Sequence, residues 1–276
     1  MILVVGRNGN LSLALQRIFQ DKDIRVVGSD IAHNWSTDEG VKKIEKDLDK
    51  LGIEPNLILN AAGEVDPKAN SSKLSNLNFN LPKNLEVYAR SCGIKLVTFG
   101  TILENLENLA VSNPYLASKR QYLEHFQKVV PGKSHSLHVQ IHTWYGLNKP
   151  HMHMFLGQIF QSLKTNEPFK MSAGNQLREY HYVYDDLKAL QFLMDQEFSG
   201  IIQINHGEIL SLKEIAFTLF KSFDALHLLK IGSLKTPAHE VIVKKFNPIG
   251  ILESVEFKPT LPGLIDDFVR LLKESR

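Results

Sequence analysis

Short apolar segments alternate with amphipathic segments along the first hundred residues, and this alternation constrains the fold more than any single motif. Four apolar runs suit strands that are buried on both faces: Ile2–Val5, Ile24–Val27, Asn56–Asn60 and Ile94–Phe99. Helical patterns separate them at Leu13–Gln20, Val41–Leu51 and Pro82–Cys92. Strands and helices at this spacing are typical of a parallel sheet covered by helices. The sequence therefore predicts an α/β fold built on a doubly wound parallel sheet.

A glycine turn, Gly6-Arg7-Asn8-Gly9-Asn10-Leu11-Ser12, joins the first apolar run to the first helical segment. A turn of this kind binds a dinucleotide pyrophosphate when a strand precedes it and a helix follows it. Gly6 lets the chain turn, Gly9 lets the backbone approach the phosphates, and the helix N-terminus supplies N–H groups and a favourable dipole. Ser12 stands where Gly or Ala is usual, which weakens the pattern. The start of the chain predicts a Rossmann-type dinucleotide site.

Asp30 follows the second apolar run at about the distance from Gly6 where a carboxylate receives the adenosine ribose hydroxyls. A carboxylate there repels a 2′-phosphate and favours NAD over NADP. Arg7, in the glycine turn, could instead pair with a 2′-phosphate, and Asp30 could simply cap the next turn. We predict an NAD or NADP cofactor, with NAD favoured.

The motif Asn113-Pro114-Tyr115-Leu116-Ala117-Ser118-Lys119 places a phenol and an ammonium side by side, because residues four apart share a helix face. A phenol loses its proton near pH ~10, and a cation within about 4–6 Å lowers that pKa. Such a pair can exchange protons near neutral pH. Thr101, just past a predicted strand, offers a hydroxyl to a carbonyl oxygen. We interpret these three side chains as catalytic. The structural alternatives are a surface pair on an amphipathic helix and a turn cap.

Charge, hydropathy and cysteine content limit the partners and the cellular compartment that we expect. The chain has 32 Lys and Arg against 30 Asp and Glu, and this balance gives no electrostatic reason to expect nucleic acid or an anionic membrane. No apolar run is long enough to cross a bilayer, and the N-terminus shows no signal peptide. The single Cys, Cys92, rules out an internal disulfide and suits a reducing compartment. We expect a cytoplasmic protein in which Cys92 is a buried thiol.

The character of the sequence changes after residue 146, where we place the domain boundary. We predict a dinucleotide-binding domain over 1–146, to which 181–204 return, and a smaller substrate-binding lobe over 147–276. Asp185 is expected to cap the helix that follows it. His151 and His153 offer metal-type ligands without a third at a recognisable spacing, so no metal is expected.

A series of landmarks runs through the chain in a characteristic order. They are the glycine turn, Asn60-Ala61-Ala62-Gly63, Asn78, Thr101, the Tyr115/Lys119 pair, Trp144-Tyr145-Gly146, the segment Arg178 to Asp185, and Ser211-Leu212-Lys213-Glu214. This ordered set resembles the extended short-chain dehydrogenase/reductases, the NAD-dependent epimerase/dehydratase family, over nearly the whole chain. Within the family it is most similar to the nucleotide-sugar 4-keto reductases, such as dTDP-4-dehydrorhamnose reductase and CDP-paratose or CDP-abequose synthase. The short loop from Thr101 to Tyr115 and the spacing of Asn78 and Pro82 carry the closer likeness.

The resemblance implies a role for each landmark. Thr101 would orient the substrate oxygen, Tyr115 would be the general acid, and Lys119 would lower the Tyr115 pKa and hold the nicotinamide ribose. The remaining cofactor contacts would be Gly6, Asn8, Gly9, Asn10 and Leu11 at the pyrophosphate, Asp30 at the adenosine ribose, and Asn60, Ala61, Ala62, Gly63 and Asn78 along the groove. Arg178 would bind the phosphates of a nucleotide sugar, since a planar donor fork suits a diphosphate.

The chain departs from the family pattern at two places that bear on which reaction it catalyses. The 4,6-dehydratases carry Asp-Glu directly after the Thr, whereas this chain has Ile102 and Leu103, with Glu104 one place too late. Gln140-Ile141-His142-Thr143 replaces an Arg-containing strand, so the nicotinamide end of the pocket is undefined. The resemblance favours NAD(P)H-dependent reduction of a 4-keto group on a nucleotide-activated deoxysugar, in polysaccharide biosynthesis.

Two alternatives to reduction stay open. The first is a nucleotide-sugar 4-epimerase with tightly bound NAD, which would use the same Tyr. The second is a non-catalytic dinucleotide sensor, against which the intact Thr101, Tyr115 and Lys119 speak. The expected partner is a nucleotide sugar, without nucleic acid or membrane, and the resemblance is compatible with a homodimer.

Overall fold

The computed structural model describes residues 1–106, 113–129, 135–236 and 250–275. Its strands are β1 (Ile2–Val5), β2 (Ile24–Val27), β3 (Leu57–Asn60), β4 (Lys95–Thr101), β5 (Leu137–Ile141), β6 (Thr143–Tyr145), β7 (Phe169–Lys170), β8 (Leu177–Arg178), β9 (Tyr180–Tyr182), β10 (Gly200–Gln203), β11 (Leu210–Ser211) and β12 (Leu229–Lys230). Its helices are α1 (Asn10–Ile18), α2 (Ser29–Trp35), α3 (Gly40–Leu51), α4 (Ser71–Ser75), α5 (Leu81–Cys92), α6 (Pro114–Val129), α7 (Phe155–Thr165), α8 (Val183–Asp195), α9 (Leu212–Ser222) and α10 (Thr260–Glu274). A π-helix, Asn76–Asn80, joins α4 to α5, and short 3₁₀ turns occur at Ile102–Asn105, Leu226–Leu228 and Gly250–Leu252.

The chain divides into two compact units. The first contains Met1–Ile141 and Leu190–Gln203, and the second contains His142–Ala189 and Ile204–Arg276. Helix α8 crosses from the second unit into the first, and β10 follows it within the first unit.

A six-stranded sheet in the order β10-β5-β4-β3-β1-β2 forms the centre of the first unit. All neighbouring strands are parallel, and Val5 at the end of β1 pairs with Val27 on one side and Asn60 on the other. The strand order reverses between β1 and β3, and ligands of such sheets bind beyond the carboxyl ends of the strands at that point. The predicted Rossmann-type α/β fold is confirmed.

Apolar composition explains why these segments form the centre of the sheet. All four residues of β1 are buried, and Leu3 packs in one cluster with Trp35 of α2, Ile44 of α3 and Leu85 of α5. Helix α2, which the sequence analysis did not predict, uses Trp35 to cover this cluster. Burial of a large side chain on a short helix stabilises the helix through packing rather than through intrinsic propensity.

Three local predictions were wrong. Helix α1 begins at Asn10 rather than Leu13, because Gly9 already serves as its N-cap. Asp185 does not cap a helix, since α8 begins at Val183, and its carboxylate instead accepts a hydrogen bond from the Lys258 backbone at 2.8 Å. Cys92 is exposed rather than buried, because it is the last residue of α5.

The second unit has its own core. Its buried residues include Tyr145, Leu156, Ile159, Phe160, Phe169, Tyr180, Ile215, Leu219, Phe220, Leu264 and Phe268. Helix α9 begins with a capping box in which Ser211 and Glu214 bond each other's backbone N–H groups. No helix in the described ranges has the length and apolar character that a bilayer crossing requires.

Candidate active site

The glycine turn between β1 and α1 packs against the end of β3. Gly6 has φ +105°, and a Cβ there would lie 2.8 Å from the Ala62 backbone nitrogen, so only glycine fits. Gly9 caps α1 beside the Ala61 carbonyl and has no side chain to occupy the first-turn N–H groups. The other predicted phosphate contacts, Asn8, Asn10 and Leu11, lie in this turn and in the first turn of α1. A glycine cradle that opens onto a helix N-terminus fits the pyrophosphate of a dinucleotide.

Two opposite charges lie near the carboxyl end of β2. Arg7 Nη2 donates to the Val26 carbonyl oxygen at 3.2 Å. Asp30 lies in the first turn of α2, and its Oδ1 is 2.6 Å from the position that a Cβ on Gly28 would occupy. Both side chains are exposed. These are the two side chains that the sequence analysis associated with the choice between NAD and NADP.

The loop after β3 is fixed by two buried amides. Asn60 Oδ1 accepts from the Ala62 N–H at 3.3 Å. Asn78, in the π-helix and 1% exposed, bonds both backbone groups of Glu64 and donates to Ser118 Oγ at 3.0 Å. The Asn78 amide therefore ties the loop that contains Ala61, Ala62 and Gly63 to helix α6.

Helix α6 carries Tyr115 and Lys119 one turn apart. Asn113 Oδ1 accepts from the Tyr115 and Leu116 N–H groups at 3.0 and 3.3 Å, which fixes the start of the helix. Lys119 Nζ donates to the Phe99 carbonyl oxygen at 2.8 Å and lies 3.8 Å from where a Cβ on Gly63 would be. The ammonium is therefore held between the ends of β3 and β4.

Burial controls the protonation of this pair. Burial raises the pKa of the Tyr115 phenol, and the Glu104 carboxylate raises it further. Burial lowers the pKa of the Lys119 ammonium, and Glu104 acts in the opposite direction. The rise for Tyr115 is opposite to the lowering that the sequence predicted, because burial of the phenol and the charge of Glu104 both act to raise its pKa. The phenol is therefore protonated at neutral pH in this environment.

Thr101 and Glu104 lie at the end of β4. Thr101 Oγ1 accepts from the Leu103 N–H at 3.4 Å and so caps the 3₁₀ turn Ile102–Asn105, against which α6 packs. The Thr101 hydroxyl keeps its own proton for a second partner. Glu104 is fully buried, with Oε1 2.8 Å from His138 Nε2 and 2.8 Å from Gln140 Nε2.

Arg178 lies in the second unit, on strand β8. Its Nη1 donates to the Leu177 carbonyl oxygen at 2.8 Å, and Arg178 pairs with Leu210 of β11 in an antiparallel ladder. The other predicted site residues, from Gly6 to Lys119, all belong to the first unit. The structure thus brings the predicted cofactor and catalytic residues to one sheet edge of the first unit and places Arg178 in the second unit.

The second unit contains a buried ion network that the sequence analysis missed. His181 Nε2 lies 2.9 Å from Glu179 Oε2, and His181 Nδ1 lies 2.8 Å from Asp186 Oδ1. Because both ring nitrogens face carboxylate oxygens, both must carry a proton. Burial lowers the pKa of His181, but the charges and hydrogen bonds of Asp186 and Glu179 outweigh burial and raise it to about 9.

His142 stacks on this network. Its ring centroid is 4.6 Å from that of His181, and its Nε2 lies 2.7 Å from Asn205 Oδ1. Burial, followed by the charge of His181, lowers the pKa of His142 to about 4. Nitrogens of both rings and an oxygen of Glu179 lie within 4.8 Å of one another, a spacing that a metal ion could use, but hydrogen bonds already engage each residue.

One sequence signal could have found these buried groups. His138 and Gln140 alternate along β5, His142 directly follows the end of that strand, and all three are buried. Residues two apart on a strand point to the same face. A run of polar side chains on one face of an otherwise apolar strand predicts buried hydrogen-bond partners, which Glu104 and Asn205 supply here.

The chain matches the family model described as the NAD dependent epimerase/dehydratase family over residues 2–205. A search of curated protein sequences gave no match.

Several solved structures share the fold along nearly their whole length. The Bordetella bronchiseptica enzyme WbmG in complex with NAD and UDP is 15% identical with a TM-score of 0.78, and the alignment covers 99% of this chain and 95% of that one. The Thermus thermophilus UDP-glucose 4-epimerase complex with NAD is 15% identical with a TM-score of 0.78, covering 100% and 99%. The dTDP-4-dehydrorhamnose reductase from Bacillus anthracis in complex with NADP is 17% identical with a TM-score of 0.73, covering 98% and 98%. At these identities the likeness establishes the fold.

Proposed function

The chain belongs to the NAD dependent epimerase/dehydratase family, and we propose that it reduces the 4-keto group of a nucleotide-activated deoxysugar with NADH or NADPH. The observation that carries the proposal is the Lys119 ammonium, held 2.8 Å from the Phe99 carbonyl oxygen one helical turn from Tyr115. A half-buried ammonium one helical turn from a phenol, at the carboxyl edge of a Rossmann-type sheet, is an arrangement for proton transfer.

The residues of the first unit fit the cofactor. The glycine cradle at Gly6 and Gly9 would accept the pyrophosphate, and Asp30 and Arg7, near the carboxyl end of β2, would meet the adenosine ribose. Lys119, beside Gly63, would hold the nicotinamide ribose. The bound nicotinamide would supply the hydride for the sugar carbon.

The chain itself would supply and direct the proton. Tyr115, which its raised pKa keeps protonated before the reaction, would donate its phenolic proton to the carbonyl oxygen as that oxygen gains charge. Thr101 would donate its hydroxyl proton to the same oxygen and orient it, while its oxygen accepts from Leu103. Lys119 would stabilise the phenolate that remains after transfer.

Solved structures that share this fold support a nucleotide sugar as the substrate. One solved neighbour is named a dTDP-4-dehydrorhamnose reductase, and another is bound to UDP. Arg178 would bind the diphosphate through its planar donor fork. Ile102 and Leu103 stand where a dehydratase needs an acid and a base, and this argues against elimination across the sugar ring.

A 4-epimerase is the second candidate, because a UDP-glucose 4-epimerase shares the fold with a TM-score of 0.78. An epimerase and a reductase would use the same Tyr115. They differ in the net reaction, because an epimerase regenerates its cofactor whereas a reductase consumes it.

The test is an assay of the purified chain with nucleotide 4-keto-6-deoxysugars and NADH or NADPH. We expect loss of NAD(P)H absorbance together with a reduced sugar nucleotide, and Tyr115→Phe should keep cofactor binding and lose most turnover. Interconversion of 4-hydroxy epimers without net cofactor consumption would identify the epimerase. Cofactor binding with neither reaction would favour the sensor.

A further inference from the structure

Glu104 is a buried carboxylate to which the proposed reaction assigns no task. It lies in the 3₁₀ turn Ile102–Asn105 after β4 and has an exposed fraction of 0%. A Cβ on Gly100 would collide with Glu104 Oε1 and with His138 Nε2. The missing side chain at residue 100 therefore makes room for the carboxylate directly over the end of β4.

Two neighbours on β5 hold one oxygen of this carboxylate. Oε1 accepts from His138 Nε2 and from Gln140 Nε2, each at 2.8 Å. Asn105 donates to Gln140 Oε1 at 2.9 Å, which fixes the Gln140 amide with its donor toward Glu104. The Thr98 hydroxyl, 2.7 Å from His138 Nδ1, can donate to it, so His138 can serve Glu104 as a neutral donor. When both donors are neutral, these hydrogen bonds leave the negative charge of the carboxylate uncompensated.

The other oxygen, Oε2, has no hydrogen-bond partner among the residues that the structure describes. An unpaired carboxylate oxygen in a protein interior is costly unless a positive charge lies nearby. Lys119 is the cation on which the charge of Glu104 acts, and its Nζ donates to the carbonyl oxygen of Phe99, the residue before Gly100. In the described ranges, Glu104 is the charged side chain that influences both Lys119 and Tyr115.

We infer that Glu104 is a positioning residue for proton transfer, the counter-ion that keeps Lys119 charged and Tyr115 protonated as the donor. This inference rests on the proposed function, in which Tyr115 supplies a proton. A negative charge beside the pair favours the ammonium and disfavours the phenolate. Glu104 thereby extends toward alkaline pH the range in which Tyr115 can protonate a substrate oxygen. Glu104 itself exchanges no proton with the substrate.

The variant Glu104→Gln tests the inference on Lys119 directly. The full chain is labelled with carbon-13 at the lysine Cε, and the Lys119 resonance is identified by its loss in Lys119→Met. Titration by NMR should give a Lys119 midpoint lower by about one pH unit or more in Glu104→Gln than in the wild type. An unchanged midpoint in folded Glu104→Gln would overturn the inference.

Glu86→Gln is the matched control. Glu86 is also fully buried in the first unit, and neither of its carboxylate oxygens has a hydrogen-bond partner in the described part of the chain. Its charge has no resolved influence on Lys119. The Lys119 midpoint should therefore stay at the wild-type value, and an equal shift in both variants would contradict a specific role for Glu104.

Glu104→Asp keeps the experiment decisive if Glu104→Gln does not fold. Aspartate retains the charge but withdraws it by one methylene, so the Lys119 midpoint should fall by less than in the glutamine variant. An unchanged or raised midpoint in folded Glu104→Asp would refute the inference.

The pH profile of keto-sugar reduction provides a second readout. The alkaline decline in kcat, where the donor loses its proton, should move down by about one pH unit in Glu104→Gln, while KM changes little. An unchanged decline would count against the role of Glu104. Absence of any reduction by the wild type would refute the proposed function, whereas the Lys119 titration would still test the counter-ion.

Discussion

Lys119 Nζ lies 2.8 Å from the Phe99 carbonyl oxygen, so the helix that carries Tyr115 is bonded to the carboxyl end of β4. This contact orients the ammonium toward the sheet edge rather than toward solvent. It also explains why Lys119 keeps a fixed position although its burial disfavours the charge. The catalytic proposal depends on this attachment between α6 and the sheet.

Replacement of Lys119 by Met should reduce turnover by about 10²–10⁴-fold, because the ammonium stabilises the deprotonated Tyr115. The measurement is the rate of NAD(P)H consumption at saturating keto-sugar. Lys128→Met is the control, since Lys128 is an exposed residue in the last turn of the same helix. Equal rates in the two variants would remove Lys119 from the mechanism.

Gly6→Ala should abolish dinucleotide binding and destabilise the protein by about 1–3 kcal/mol. The reason is the collision of a Cβ with the Ala62 backbone at φ +105°. Gly52→Ala is the matched control, because Gly52 also has a positive φ, +62°, but nothing lies within 4 Å of its Cβ position. This variant should keep full dinucleotide binding. Calorimetric titration with NADH and thermal unfolding check both variants, and tight binding by Gly6→Ala would refute the assignment of the cradle.

Asp30→Ser should shift the cofactor preference toward NADPH by about tenfold or more, because it removes a charge that repels a 2′-phosphate and leaves Arg7 nearby. The measurement is the ratio of kcat/KM for NADPH and NADH. Asp23→Ser, an exposed change at a residue just before β2, should leave the ratio unchanged. A second change, Arg7→Ala, should reverse the gain, and an unaltered ratio in Asp30→Ser would place the adenosine ribose elsewhere.

Because of the buried network around His181, the free energy of unfolding should fall as pH rises above 6.5. The pKa of His181 is raised from 6.5 to about 9. The bound proton therefore stabilises the fold fully below pH 6.5, and this stabilisation is lost as pH rises through 9. The contribution of His181 to the free energy of unfolding should differ by about 3 kcal/mol between the two ends of this pH range. Urea unfolding at several pH values measures it. His181→Gln should lose this part of the slope, and a slope equal to that of the wild type would show that other groups cause it.

Local patterns explain which parts were predictable. The strands, the glycine turn and the Tyr115/Lys119 pair depend on residues within one or two turns of each other, so their spacing can be read directly. The bounds of β1 and β2 coincide with the predicted segments. The start of α1 differed because a glycine N-cap gives no side-chain signal.

Long-range contacts explain which parts were missed. Glu104 meets His138 and Gln140 only because β4 and β5 pair in register, with Gly100 opposite Gln140. The direction of the Tyr115 pKa likewise depends on burial by distant segments. Spacing along the sequence reports neither the register of two strands nor the depth of a side chain. The roles of Thr101, Asp30 and Arg178 stay predictions, and the Asp30→Ser experiment above addresses one of them.

The edge position of β10 has a consequence for how this protein can be divided or recombined. β10 covers β5, although residues 142–189 of the second unit lie between the two strands along the chain. A fragment that stops near residue 146 would leave the backbone of β5 open to pairing with other molecules and should aggregate. Any natural or engineered exchange of the second unit between relatives must therefore keep the stretch 190–203 with its original N-terminal partner, so two crossover points are needed rather than one.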